Sequence, residues 1–211
     1  MEHRARVLVT RALEDARSIC HVLSLAGFSP VTAPLLKRVW DVNAVAEFAT
    51  AHPQADWVLL TSATAAEIIA AAAPLAWPGA SIAAVGPATA QKLTEIGRPA
   101  DLVPERFTAT ELLLAMPDLT GKTVLYPRAD LGGTALATAL RARGATVHEV
   151  IAYRNVEPPD VAERLVEALP VHGTTLFSGS AALRLASLVP MDQRQKLGRV
   201  VAIGPTTAAA A

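Results

Sequence analysis

Short runs rich in Val, Ile and Leu alternate along this chain with longer Ala- and Leu-rich segments whose apolar residues recur at helical spacing. That alternation is the pattern of an α/β fold with parallel sheets flanked by helices. The short runs predict strands at Arg6 to Thr10, Pro30 to Leu35, Trp57 to Thr61, Ser81 to Val85, Ala100 to Val103, Thr123 to Tyr126, Thr146 to Ile151, Thr174 to Phe177 and Val200 to Ile203. Helices lie between them. The first sets Leu13, Ala16, Cys20, Leu23 and Ala26 on one stripe and ends at Gly27; a later one carries Leu136, Leu140 and Arg143 and ends at Gly144. Two stretches break the rhythm, PLLKRVWDV (Pro34 to Val42) and IAYRNVEPP (Ile151 to Pro159), and read as extended segments that each precede a helix.

The pattern repeats on the scale of a domain. SIAAVGPATAQKL (Ser81 to Leu93) returns as RVVAIGPTTAAAA (Arg199 to Ala211), and in both an apolar run ends in Gly-Pro and opens onto Ala and Thr. This reads as a strand turning directly into a helix, with Gly86 and Gly204 giving a tight turn and Pro87 and Pro205 suiting the first helical turn. VLVTR at Val7 to Arg11 matches VLYPR at Val124 to Arg128, an offset of 117 (128 − 11) that also carries Gly27 onto Gly144, Val39 onto Val156 and LLTSAT (Leu59 to Thr64) onto LFSGSA (Leu176 to Ala181). At the Gly-Pro stretch the offset is 118 (204 − 86). The period is far longer than a solenoid repeat, so two copies of a domain-sized module are expected, with the two rhythm-breaking stretches at equivalent places as a hinge.

Composition narrows the classes. A chain of 211 residues, 52% of them hydrophobic, can fill two cores, which excludes a disordered or nucleic-acid-coating protein. Its 19 basic and 19 acidic residues cancel, so an anion would be met by local donors rather than by a broad positive field. The one cysteine, Cys20, excludes an intrachain disulfide framework and suits a reducing compartment; between Ile19 and Leu23 it reads as a buried core thiol. Arg4 and Arg6 lead straight into a strand with no signal-peptide pattern, and the longest apolar stretch, Ile68 to Trp77, contains Pro74 and falls short of the ~20 residues of a membrane span. The expectation is a cytoplasmic protein with neither nucleic acid nor membrane as partner.

Catalytic constellations are sparse. His3, His21, His52, His148 and His172 have no metal-ligand spacing to one another or to Cys20. The dinucleotide fingerprint, the Walker loop and the serine elbow are missing, and no metal is expected. DLGGTA (Asp130 to Ala135) opens a helix after a strand and reads as turn chemistry more than as an anion loop. What the chain does offer is strand-to-helix turns: TSAT after the Trp57 strand, SGS after the Thr174 strand and the two Gly-Pro turns. In an open parallel sheet such turns gather at the carboxyl edge, where helix N-termini can take carboxylates or phosphates. Thr61, Ser62, Thr64, Ser178 and Ser180 either cap helices or line a pocket for a ligand with several negative groups.

VLVTR, WVLLTSAT, IAAVGPATAQKL, VLYPRAD, GATVHEVIAYRNV, LFSGSAA and VVAIGPTTAAA, in that order from Val7 onward, resemble the uroporphyrinogen-III synthases, cofactor-free enzymes of tetrapyrrole biosynthesis. The resemblance implies two similar α/β domains joined by a two-stranded linker, with exchanged connectivity. Residues 1–36 would join 156–211, residues 41–151 would form the inserted domain, and 37–40 and 152–155 would be the linkers. The implied activity is a cyclising hydro-lyase acting on hydroxymethylbilane, with loss of water and inversion of the terminal pyrrole ring. The implied partner is that small tetrapyrrole, and the implied state is a monomer without cofactor. Such chemistry asks for a clamp that holds one geometry more than for a strong acid.

Carried over position by position, the resemblance places the family's tyrosine at Tyr153, whose phenol, protonated at neutral pH, could assist departure of the hydroxyl as water. Packing of its ring in the linker is the alternative. Thr206 and Thr207, with Thr61, Ser62 and Ala63, are implied carboxylate binders, as are the turns at Gly86, Pro87 and Ala88, at Ser178, Gly179 and Ser180, and at Gly204. Arg11 and Arg128 are the candidate side-chain cations, although a helix-start arginine more often pairs with a neighbouring acid. The chain departs from the family pattern at SATA, where Ser-Ala-Asn-Gly is usual, and at SGSAA, where Thr-Ser-Pro-Ser-Ala is common. Comparing the two copies also predicts a further strand and helix beyond Ala211, about 25 to 30 residues. A non-catalytic two-domain module that binds an anionic small molecule, and a purely structural scaffold, are the rival readings.

Overall fold

β-branched and leucine-rich runs form nine strands among the described residues, and the intervening segments form nine α-helices. The computed structural model describes residues 4–211, without the side chain of Thr206. In chain order the elements are β1 (Arg6–Val9), α1 (Leu13–Leu25), β2 (Ser29–Thr32), β3 (Lys37–Trp40), α2 (Val42–Ala51), β4 (Trp57–Leu60), α3 (Ala63–Ala72), β5 (Ser81–Ala84), α4 (Pro87–Glu95), α5 (Ala109–Ala115), β6 (Thr123–Ala129), α6 (Ala135–Ala142), β7 (Thr146–Val156), α7 (Val161–Ala168), β8 (Gly173–Leu176), α8 (Gly179–Leu188), β9 (Arg199–Ala202) and α9 (Pro205–Ala209).

The chain divides into two compact units: residues 1–38 with 156–211, and residues 39–155. The first holds a four-stranded sheet, β2-β1-β8-β9, in which every neighbouring pair is parallel. The order of the second sheet is β3-β7-β6-β4-β5, parallel from β7 to β5.

In the second unit successive residues of one strand serve two cores. Val58, Leu60, Ile82 and Ala84 pack with α2, α3 and α4 on one face. Leu59, Ala83, Val124 and Val147 pack with α5 and α6 on the other. Burial on both faces is why these strands read as unbroken apolar runs rather than alternating ones. The first unit builds its largest core from Leu8, Leu35 and Leu176 against α7 and α8.

Local chemistry sets the ends. Asp41, Ser62, Thr108 and Ser178 cap α2, α3, α5 and α8 by accepting the backbone N–H three residues on. Gly27 and Gly144 close α1 and α6 at φ of 85° and 84°, a region open to glycine at little cost.

Several expectations need correction. The turns at Gly86 and Gly204 do not draw on glycine's conformational freedom: their φ values of −169° and −171° are extended backbone that any residue adopts. A side chain at Gly86 would instead meet Phe107 Cβ at 3.2 Å, while Gly204 has open space. The strand expected at Ala100 to Val103 reduces to a single bridge, Leu102 to Ala83. The stripe on α1 is buried only at Ala16, with Cys20 half-buried, because this helix packs on the short β1 and β2 at one side of the sheet. Helix starts pair Ser62 with Ser178, one position out of step with the 117-residue offset. DLGGTA forms a 3-10 turn in which Asp130 Oδ1 accepts the backbone N–H of Leu131 (2.9 Å) and Asn155 (3.1 Å).

Candidate functional site

Because paired strands run parallel, the turns that leave β4 and β5 emerge at one edge of the second sheet, and those that leave β1, β8 and β9 emerge at one edge of the first. The expected site residues fall on these two edges, each described within its own unit.

In the second unit Thr61 and Ser62 follow β4, and Ala63 begins α3. Ser62 Oγ accepts the Ala65 N–H at 3.1 Å, so the hydroxyl caps the helix. It also accepts the phenol of Tyr153, again at 3.1 Å. Tyr153 sits near the end of β7, opposite Ala129 of β6, with its ring buried in the core beneath α2 and α3. Tyr126 of β6 brings its own buried phenol to within 3.5 Å of Thr61 Oγ1. Both tyrosines of the chain therefore stand beside the β4–α3 turn. Tyr126 was missed in the sequence; its signal is its place in VLYPR, the run that matches VLVTR, on the strand beside β4. Gly86, Pro87 and Ala88 open α4, where Pro87 has no N–H to offer and the next amides face the strand edge.

Arg128 takes a structural partner. Its Nε lies 2.8 Å from Glu149 on the neighbouring β7, with both side chains largely buried, and its Nη1 donates to the Ala129 carbonyl at 3.0 Å. Arg141 holds the other oxygen of Glu149 at 3.0 Å.

In the first unit Ser178 caps α8 through the Ala181 N–H at 3.2 Å and shares a hydrogen bond of 3.0 Å with Ser180 across Gly179. Thr207 is buried in α9; the side chain of Thr206 lies outside the described residues. Arg11 pairs with Asp15 at 3.2 Å while its guanidinium sits 5.1 Å from the Phe177 ring centroid. Arg38 also reaches Asp15 (2.6 Å) and Glu14 (3.1 Å). Burial alone would raise the Asp15 carboxyl, but the hydrogen bonds and charges of Arg38 and Arg11 outweigh it and hold the group below the ordinary carboxylate range. A cavity of about 340 Å³ opens nearby, lined by Leu13, Glu14, Leu36, Lys37, Pro158 and Arg164, and none of the expected site residues borders it.

Both candidate arginines are thus engaged with acids of their own unit. Among the described residues no group of three or more His, Cys, Asp or Glu side chains is placed to hold a metal ion. None of the described helices is long and apolar enough to cross a membrane.

A family model described as uroporphyrinogen-III synthase HemD matches residues 19–211. The chain is 31% identical over 226 aligned residues to the uroporphyrinogen-III synthase of Synechococcus elongatus (strain ATCC 33912 / PCC 7942 / FACHB-805), an alignment covering 95% of this chain and 83% of that protein. Among solved structures it is similar to a mutant uroporphyrinogen III synthase from the extremely thermophilic bacterium Thermus thermophilus, with a TM-score of 0.67 at 24% identity over 98% of this chain and 87% of that one. It is also similar to the uroporphyrinogen-III synthetase of Helicobacter pylori 26695, with a TM-score of 0.61 at 18% identity over 98% and 87%. At those identities the likeness is one of fold.

Proposed function

The chain belongs to the uroporphyrinogen-III synthase family, and from that premise we propose that it cyclises hydroxymethylbilane to uroporphyrinogen III, releasing water and inverting the terminal ring. In this reading it is a lyase and a cytoplasmic monomer that needs no cofactor. The observation that carries the reading is the family match across residues 19–211.

The geometry supports how the work would be divided. A polycarboxylate substrate needs many donors: the turns at Thr61 to Ala63 and Ser178 to Ser180 supply hydroxyls and first-turn amides, and those at Gly86 to Ala88 and Gly204 to Thr207 supply first-turn amides. Arg11 and Arg128, tied to Asp15 and Glu149, stiffen these edges rather than meeting substrate directly. The Tyr153 phenol serves loss of the hydroxyl at the β4–α3 turn, where a hydrogen bond to the departing oxygen strengthens as charge gathers there. Holding one geometry then supplies most of the selectivity, because the linear substrate also closes unaided to the uninverted isomer.

The test is incubation of the protein with freshly generated hydroxymethylbilane, followed by chromatographic separation of the isomers. Isomer III is the expected product, at an unchanged rate after exhaustive dialysis against a chelator. Isomer I alone would overturn the reading, and a rate lost on chelation would overturn its cofactor-free form.

A further inference from the structure

The proton inventory of the Tyr153–Ser62 pair points to a more specific division of roles, which rests on the cyclisation reading. A serine hydroxyl has two acceptor positions and one proton to donate. In Ser62 both acceptor positions are filled, one by the Ala65 N–H and one by the Tyr153 phenol, each at 3.1 Å. Its own proton has therefore to be donated elsewhere. The Tyr153 ring is buried, with 8% of its surface exposed, and its only proton is already directed at Ser62. Ser62 is the more open of the two, at the mouth of the β4–α3 turn.

We infer that Ser62, not Tyr153, presents the hydrogen that meets the substrate at this edge, and that Tyr153 is a positioning residue acting through it. The phenol orients the serine and polarises its O–H, since hydrogen bonds in a chain strengthen one another. As the substrate C–O bond breaks, its electron pair stays on the departing oxygen, where the Ser62 O–H stabilises it. The proton that completes the water balances the one the substrate loses from pyrrole carbon on ring closure. In the first unit Ser178 caps α8 in the same way, and its second contact is the hydroxyl of Ser180 rather than a phenol.

The experiment compares Ser62→Gly, Ser62→Thr, Tyr153→Phe and the Ser62→Gly/Tyr153→Phe double variant, with kcat and KM for isomer III measured separately and a thermal melt for each. Glycine caps helices nearly as well as serine, so Ser62→Gly keeps α3 while removing the donor. The expected result is a kcat lowered about two- to ten-fold in both single variants, the worth of one net hydrogen bond, with KM and melting temperature nearly unchanged. Ser62→Thr should recover most of kcat. The double variant should be no slower than the slower single, because the two groups act as one unit. A parent-like kcat in Ser62→Gly beside a slow Tyr153→Phe would overturn the assignment and leave the phenol acting directly. Losses that multiply in the double variant would overturn it too. If the unmutated chain makes no isomer III, the cyclisation reading falls, and this one with it.

Discussion

Gly198 shows how narrowly a single position can be specified. It ends the 3-10 turn before β9 at a φ of 61°, and a side chain there would be driven into the His172 carbonyl. Gly198→Ala should therefore cost at least ~2 kcal/mol, from the strained backbone and the displaced strand end together. Gly79→Ala, with open space around it and no left-handed backbone, should be nearly neutral. The check is a pair of urea titrations with the slope held fixed. Similar midpoints for both variants would refute it. Charged positions were less legible than glycines. Arg128 and Arg11 resembled substrate cations in the sequence, and their pairing with Glu149 and Asp15 depends on where β7 and α1 lie.

Between elements, the most telling contact for solution behaviour joins the end of α2 to β7. The rings of His52 and His148 stack with centroids 3.9 Å apart, and Phe48 packs on His52 at 4.8 Å. Burial, then the neighbouring His52, then the Arg141 charge lower the His148 pKa below its ordinary 6.5. Glu149, the next residue on the strand, is held by Arg128 and Arg141. The sign follows from proton uptake. Below pH 6.5 the unfolded chain gains a proton at this position that the native state accepts only at lower pH, so stability is full above 6.5 and falls as pH drops. Urea midpoints should decline between pH 7.5 and pH 5.5, and His148→Gln should flatten that decline. An equal slope in the variant would show that other groups govern it. The elements themselves were largely legible, because caps such as Ser62 and Ser178 and stops such as Gly27 are local devices. The strand at Lys37 to Trp40 was legible only as extended chain, since its standing as a strand comes from its neighbour β7.

For the molecule as a whole, the edges of the sheets decide solubility. In the four-stranded sheet β2 is guarded by Pro30, which donates no backbone hydrogen bond, whereas β9 ends the other side with Val200 and Val201 exposed at 42% and 55% and Ile203 beyond them at 67%. In the five-stranded sheet the edge strand β5 is covered by the Leu102 bridge. Val201→Lys should then reduce light scattering on heating while leaving the melting temperature within a degree or two, since the side chain is already exposed. Unchanged scattering would place the aggregation-prone surface elsewhere.

Periodicity, caps and the internal repeat determined the parallel α/β class and most strand positions. Burial on both faces of a sheet demands continuous apolar runs wherever the strands end up. Only the tertiary structure could place Tyr153 on Ser62, 91 residues away, or Arg128 on Glu149, 21 away. Hydrophobic burial is non-directional and separates inside from outside, which is written locally. A hydrogen bond or ion pair needs its partners within a few tenths of an ångström, and that distance is set by strand order and register across the whole sheet.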